Sequence, residues 1–319
     1  MMSADTNDPN PWLTVEEQHR PPEIYVYRPP VLPRPNYWLH IGLFLGTVAS
    51  TMLVAGVDEN AVELMSAGLV LPALRLIALR GWVFSASLLS ILTAHEFGHY
   101  FTARYHRVPA SLPYFIPFPF SLFGTLGAVI KMSPRMAPRR ALFDIAAAGP
   151  LAGIVVALPL TYLGLTLSPL ILKSAVPAGS LSLGEPLLFK GLSWLAHGNV
   201  RENMDVILHP VAFAGWAGMF VTALNLLPIG QLDGGHVSHA LFGARSRLVA
   251  FAMFGGLLGF SVWQREFTWV PLMLFLLIFG IQHPPITDDG QPLGPVRQAL
   301  GLLLGILFVT CFSLVPIKL

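Results

Sequence analysis

The stretch ILTAHEFGHYFTA, residues 91–103, sets two histidines and a glutamate in a run of apolar and small residues. Residues four apart share one face of a helix. His95 and His99 can therefore present two imidazoles to one ion, with Glu96 beside them. This is the HExxH spacing of zinc hydrolases, two ligands plus a general base. The expected chemistry is hydrolysis: zinc acidifies a water and polarises the scissile carbonyl, and the glutamate moves the proton to the leaving amine. Ionisable groups within an apolar span are costly and functional by default. The competing reading is a set of polar residues at a helix end, reaching toward water.

A catalytic zinc has three protein ligands and one open position. The third must come from another element that reaches the same depth. The segment NLLPIGQLDGGH, 225–236, supplies Asp233 just past an apolar helix. Gly234 and Gly235 after it are expected to allow a sharp exit and close backbone approach. Alone, Asp233 reads as a turn aspartate before Gly-Gly. Paired with the HExxH helix, it reads as the third ligand. His236 and His239, just beyond, read as solvated or supporting residues rather than ligands.

The elements that must position these groups are membrane spans. Hydrophobic residues make up 54% of the 319 residues and charged residues 11%, against about 25% charged in a soluble domain. A net charge of +2 with no basic tract excludes a nucleic-acid partner. The single cysteine, Cys311, excludes a cysteine-based zinc site within this chain. A span needs ~20 apolar residues, and such runs lie near 38–57, 81–103, 140–168, 210–230, 248–263, 268–282 and 299–316. The fifth and sixth are short and separated by QREF. The stretch 61–80 is apolar but carries Arg75 and Arg80, and fits an interfacial helix or a further span. The expected fold is an all-α polytopic membrane protein with about 6–8 transmembrane helices and a catalytic core over about 81–240. Residues 1–37 read as a disordered, proline-rich cytoplasmic arm, and residues 38–319 as the membrane domain.

Positive charge sets the orientation. Arg104, Arg107, Lys131, Arg135, Arg139 and Arg140 lie between the second and third spans with no acidic residue among them, which places that connection in the cytoplasm. Charge is balanced over 169–208, as expected on the far side. The metal site then lies near the cytoplasmic face. The arm has neither a signal peptide's pattern nor, with five acidic residues, a transit peptide's. The expected location is a bacterial inner membrane.

Between the motif helices, ASLPYFIPFPFSLFGTLGAVIKM, 110–132, carries three prolines that preclude a regular helix over its first half. The run GTLGAVIKM is expected to form a short extended segment associated with the membrane, buried in protein or lining a wet cavity. Its edge can pair with an unwound substrate. The alternative is a surface loop anchored by Phe115, Phe118 and Phe120.

These residues resemble the site-2 protease family of intramembrane zinc metalloproteases. HEFGH resembles its first motif, and NLLPIGQLDGG its Asn-x-x-Pro…Leu-Asp-Gly motif. GTLGAVIKM (124–132) is similar to its glycine-bearing segment, and AAAGPLAG (146–153) to its small-residue helix. The resemblance implies His95, His99 and Asp233 as zinc ligands and Glu96 as the base. It also implies Asn225 near the substrate or oxyanion, with Gly124 and Gly127 in the substrate-contacting segment. The implied partners are a transmembrane or membrane-anchored protein substrate, the lipid bilayer and an upstream site-1-type protease. Gly230 stands where many members have a second proline, a change expected to loosen the backbone beside the ligand. The form GQLDGGH is similar to the plant plastid and related bacterial branch, and no stretch reads as a PDZ domain. The alternatives are a catalytically silent relative, which would have lost the base or a ligand, and a metal transporter. A transporter would carry ionisable groups at several depths.

Overall fold

Backbone facing lipid must satisfy its own hydrogen bonds, so the apolar runs become helices. The computed structural model describes residues 35–132, 137–176, 181–265, 267–281, 283, 286 and 292–318. The proline-rich arm therefore lies outside the described residues, apart from its last three. Helix α1 (Tyr37–Gly56) starts at Asn36, whose side chain accepts from the Leu39 amide at 3.3 Å. Helix α2 (Glu59–Ser66) is capped by Asp58, which also pairs with Arg80. Helix α3 (Val70–Tyr105) runs 36 residues without a break. Its only proline, Pro72, sits in the first turn, where it is tolerated. The stretch 61–80 is thus neither a separate interfacial helix nor a further span; it divides between α2 and the beginning of α3.

Strands β1 (Tyr114–Pro117) and β2 (Thr125–Val129) follow as an antiparallel hairpin, with Tyr114 opposite Val129 and Phe115 opposite Ala128. Next come α4 (Arg139–Thr166), β3 (Leu170–Leu172), β4 (Ser182–Leu183), α5 (Leu187–His197), β5 (Met204–Val206) and α6 (Pro210–Asn225). The chain then forms α7 (Asp233–Phe242), a 3-10 turn, α8 (Ser246–Gln264), α9 (Val270–Phe279), α10 (Pro295–Cys311) and β6 (Ile317–Lys318). The small pairs β3–β5 and β4–β6 are antiparallel. Among the described residues four helical runs are long and apolar enough to cross a membrane: α1, α3, α4 and Asp233–Gln264; α6 and α10 are shorter apolar helices. The expected span 210–230 stops early at Asn225, and 268–282 contracts to the ten-residue α9.

Helix α3 lies at the centre. Its Phe84, Leu88, Ile91 and Leu92 pack with Ile154 and Ala157 of α4 and Ala214, Trp216 and Ala217 of α6. Small residues let the backbones meet. A Cβ on Gly98 would fall 2.6 Å from the Ala148 carbonyl oxygen of α4. This contact, rather than lipid-facing bulk, fixes how α4 crosses the HExxH turn.

Candidate metal centre

His95, Glu96 and His99 are 3%, 5% and 6% exposed, in the half of α3 that packs on α4. His99 Nδ1 donates to the Ile145 carbonyl at 2.7 Å. A carbonyl only accepts, so the proton is on Nδ1 and the Nε2 lone pair is free. Pro150, lacking an amide proton, gives the neighbouring Ala146 carbonyl no helix bond. His99 Nε2 lies 3.1 Å from His95 Nε2 and 3.2 Å from Asp233 Oδ2, and His95 Nε2 lies 3.3 Å from the same oxygen. Donors held ~2.0–2.1 Å from a zinc ion at tetrahedral angles are about 3.3 Å apart. The near-equilateral set therefore fits zinc in size and in ligand type, and among the described residues it is the group close enough to share an ion.

Asp233 opens α7 rather than ending an exit turn. A carboxylate at a helix N-terminus is favoured by the exposed amides there. The close approach expected of its glycines is present: a Cβ on Gly234 would lie 2.0 Å from the Leu226 carbonyl oxygen. Gly230 does not loosen the loop. Its φ of +58° is closed to proline, and its amide, which proline lacks, donates to the Ile281 carbonyl at 2.8 Å. The loop is tied at that point.

Asn225 Nδ2 lies 3.1 Å from His95 Nε2. A cavity of about 240 Å³ joins the three donors, Glu96, Asn225 and His236 to Ala128, Val129 and Ile130 at the end of β2. Gly124 is elsewhere: its carbonyl accepts from Ser50 Oγ at 2.6 Å, and its φ of +73° turns the hairpin against α1. Gly127 lies on β2 with open space where a Cβ would stand. Neither glycine lines the cavity.

His236 and His239 are buried, not solvated. His236 Nδ1 lies 2.6 Å from His283 Nε2, and the His239 ring stacks on His283 at 4.3 Å. His106 donates to Asp144 at 2.9 Å, and Arg297 grips the same carboxylate through two bonds of 2.7 Å. Two residues were not legible as part of the site. A Cβ on Gly149 would fall 2.0 Å from His99 Nε2, and one on Gly153 would fall 3.2 Å from His95 Nδ1. The segment AAAGPLAG is read from sequence as packing surface; what it packs against is the His95–His99 pair.

The profile of peptidase family M50 matches residues 83–257, which include His95, Glu96, His99 and Asp233. The chain belongs to peptidase family M50. Among curated M50-like relatives, the probable zinc metalloprotease EGY1, chloroplastic, of Oryza sativa subsp. japonica is 33% identical over 240 residues, 72% of this chain and 39% of the relative. The probable zinc metalloprotease EGY2, chloroplastic, of Arabidopsis thaliana is 28% identical over 311 residues, 95% of this chain and 54% of the relative. The chain thus spans about two fifths to a half of the length of these relatives. No solved structure matches it. These relatives are chloroplastic by name, so the expected bacterial inner membrane finds no support among them.

Proposed function

We propose that this chain is an intramembrane zinc metalloprotease of the site-2 type, hydrolysing peptide bonds of transmembrane or membrane-anchored proteins. The observation that carries the reading is the convergence of His95, His99 and Asp233 from two helices at 3.1–3.3 Å, with Glu96 in the same buried cavity. Zinc, which these three groups would hold, would supply Lewis acidity to a water and to the scissile carbonyl. The Glu96 carboxylate takes the proton of the attacking water and returns it to the departing amide nitrogen. Asn225 Nδ2 faces the same space and donates to the developing oxyanion. The Ile145 carbonyl holds His99 in the tautomer that leaves Nε2 unprotonated.

A peptide cannot be cut while its backbone is locked in a helix. In this reading the substrate unwinds and lies along β2, whose last residues form one wall of the cavity. Gly124 and Gly127 then act by shaping the hairpin. The partners are the bilayer, a single-span or anchored protein, and a site-1-type protease where a prior cut is required. The positive charge around the motif helices supports a site near the cytoplasmic face. Metal analysis of purified protein tests the ligand assignment. One zinc per chain is expected in the parent and its loss in Asp233→Ala and His95→Ala; full zinc retention in both variants would overturn it.

A further inference from the structure

A second cavity, of about 820 Å³, lies at the other end of the hairpin from the metal centre. Its floor includes Phe84 of α3, Phe213 of α6 and Leu122 of the turn that precedes β2. Phe84 precedes His95 by eleven residues of continuous helix, about 16 Å along the axis. Strand β2 bridges the two spaces: Ala128 and Val129 line the metal cavity, and the turn before Thr125 delivers Leu122 to the far one.

The sides of the hairpin differ. Strand β1 is backed by α1, with Phe115 edge-on to Phe44 at 5.0 Å and the Pro113 carbonyl 2.9 Å from His40 Nδ1. On β2, Leu126 is 62% exposed and a Cβ on Gly127 would meet nothing within 4 Å. At the far cavity, β4 and β5 contribute Leu183 and Val206 to the wall. Among the described residues each of these strands has a single partner strand; on β5 the Met204 and Val206 amides already donate to the Arg201 carbonyl and to Asp205 Oδ1, which leaves the short β4 with the open edge. Glu185, Lys190 and Asp205 stand in the same wall.

We propose that the far cavity is an exosite for the substrate itself, taking an extended segment that continues from β2 and seating an apolar side chain about five residues from the scissile bond. The inference rests on the protease reading above. The spacing follows from ~16 Å covered at ~3.3 Å per residue in extended chain. The edges of β2 and β4 supply backbone partners, and the phenylalanine floor supplies the side-chain pocket. An acyl chain would use neither the edges nor the charged wall. The cavity volume is within the usual range for a bound ligand, about 300–1,000 Å³.

The experiment fills the cavity with Ser193→Trp, at a lining residue that α5 contributes away from the metal centre, and compares two substrates. One is a single-span protein and the other a short peptide that ends before the fifth residue from the cut. The expected result is at least about a tenfold loss of kcat/KM on the long substrate, with the short one cut as by the parent. Ser193→Ala, which leaves the cavity open, should behave as the parent on both. A photo-crosslinker at Leu122 in the Glu96→Gln protein should capture the long substrate about five residues from the scissile bond. Equal loss on both substrates, no loss on either, or labelling of Leu122 by lipid but not by substrate would overturn the exosite. If the parent cuts neither substrate, it is the protease reading that fails.

Discussion

At His99 a single hydrogen bond decides which ring nitrogen is available. The Ile145 carbonyl accepts a hydrogen bond from Nδ1–H, and Gly149 leaves the space into which Nε2 projects. Gly149→Ala would place a methyl group 2.0 Å from that nitrogen. Zinc affinity should fall about 10- to 100-fold, the usual cost of disturbing the groups that orient a ligand. Metal titration checks this; an unchanged affinity would contradict the packing assigned to Gly149. The grouping of His95, His99 and Asp233 was legible because HExxH has a fixed helical spacing and Asp233 sits in a motif. Gly149 was not, because a glycine in a small-residue helix does not announce its neighbour. The burial of His236 was hidden for a related reason: its partner His283 is 47 residues away.

Among the elements, β2 and the 225–233 stretch line the cavity of the candidate metal centre together with α3. Prolines and glycines in 110–132 ruled out a helix and pointed to an extended segment, which is found. Its pairing register and its anchorage on α1 needed the structure. Phe115 is buried and only Phe118 and Phe120 are exposed, so the segment is more than an interfacial loop. Neighbouring amides on an edge strand alternate between the paired and the open side. Prolines placed in turn at Ala128 and Val129 therefore test strand addition. The substitution on the open side should retain zinc and the fold yet reduce cleavage of a transmembrane substrate by at least about tenfold, since a lost backbone bond also misplaces the scissile bond. Normal cleavage by both variants would remove β2 from the substrate path. Gly124→Pro is a poorer probe, because a φ of +73° is closed to proline and the turn itself would fail. The length of α3 was underestimated because the arginines at 75 and 80 suggested a boundary where the backbone simply continues.

At the scale of the whole molecule, composition was enough to establish a polytopic helical protein. Hydropathy gave the places of α1, α4, α8 and α10 within a few residues. It could not show which helices touch. The Asp144 carboxylate joins the end of α3, through His106, to the start of α10, through Arg297, which lies 153 residues beyond Asp144 in the sequence. Asp144→Asn should weaken this partly buried junction by about 1–3 kcal/mol, as expected for hydrogen bonds to a charged group. A lower unfolding midpoint in detergent, with the zinc content of the folded protein unchanged, is the expected outcome. An unaltered midpoint would mean that helix packing alone holds α10.

The most direct test of the central claim is cleavage of a single-span substrate by purified parent and Glu96→Gln proteins, with zinc measured in both. The account predicts one zinc in each and a loss of about 10²- to 10⁴-fold in kcat for the variant, the range for removing a general base. Equal cleavage by both proteins, or a zinc-loaded parent that cuts no membrane-anchored substrate, would contradict it.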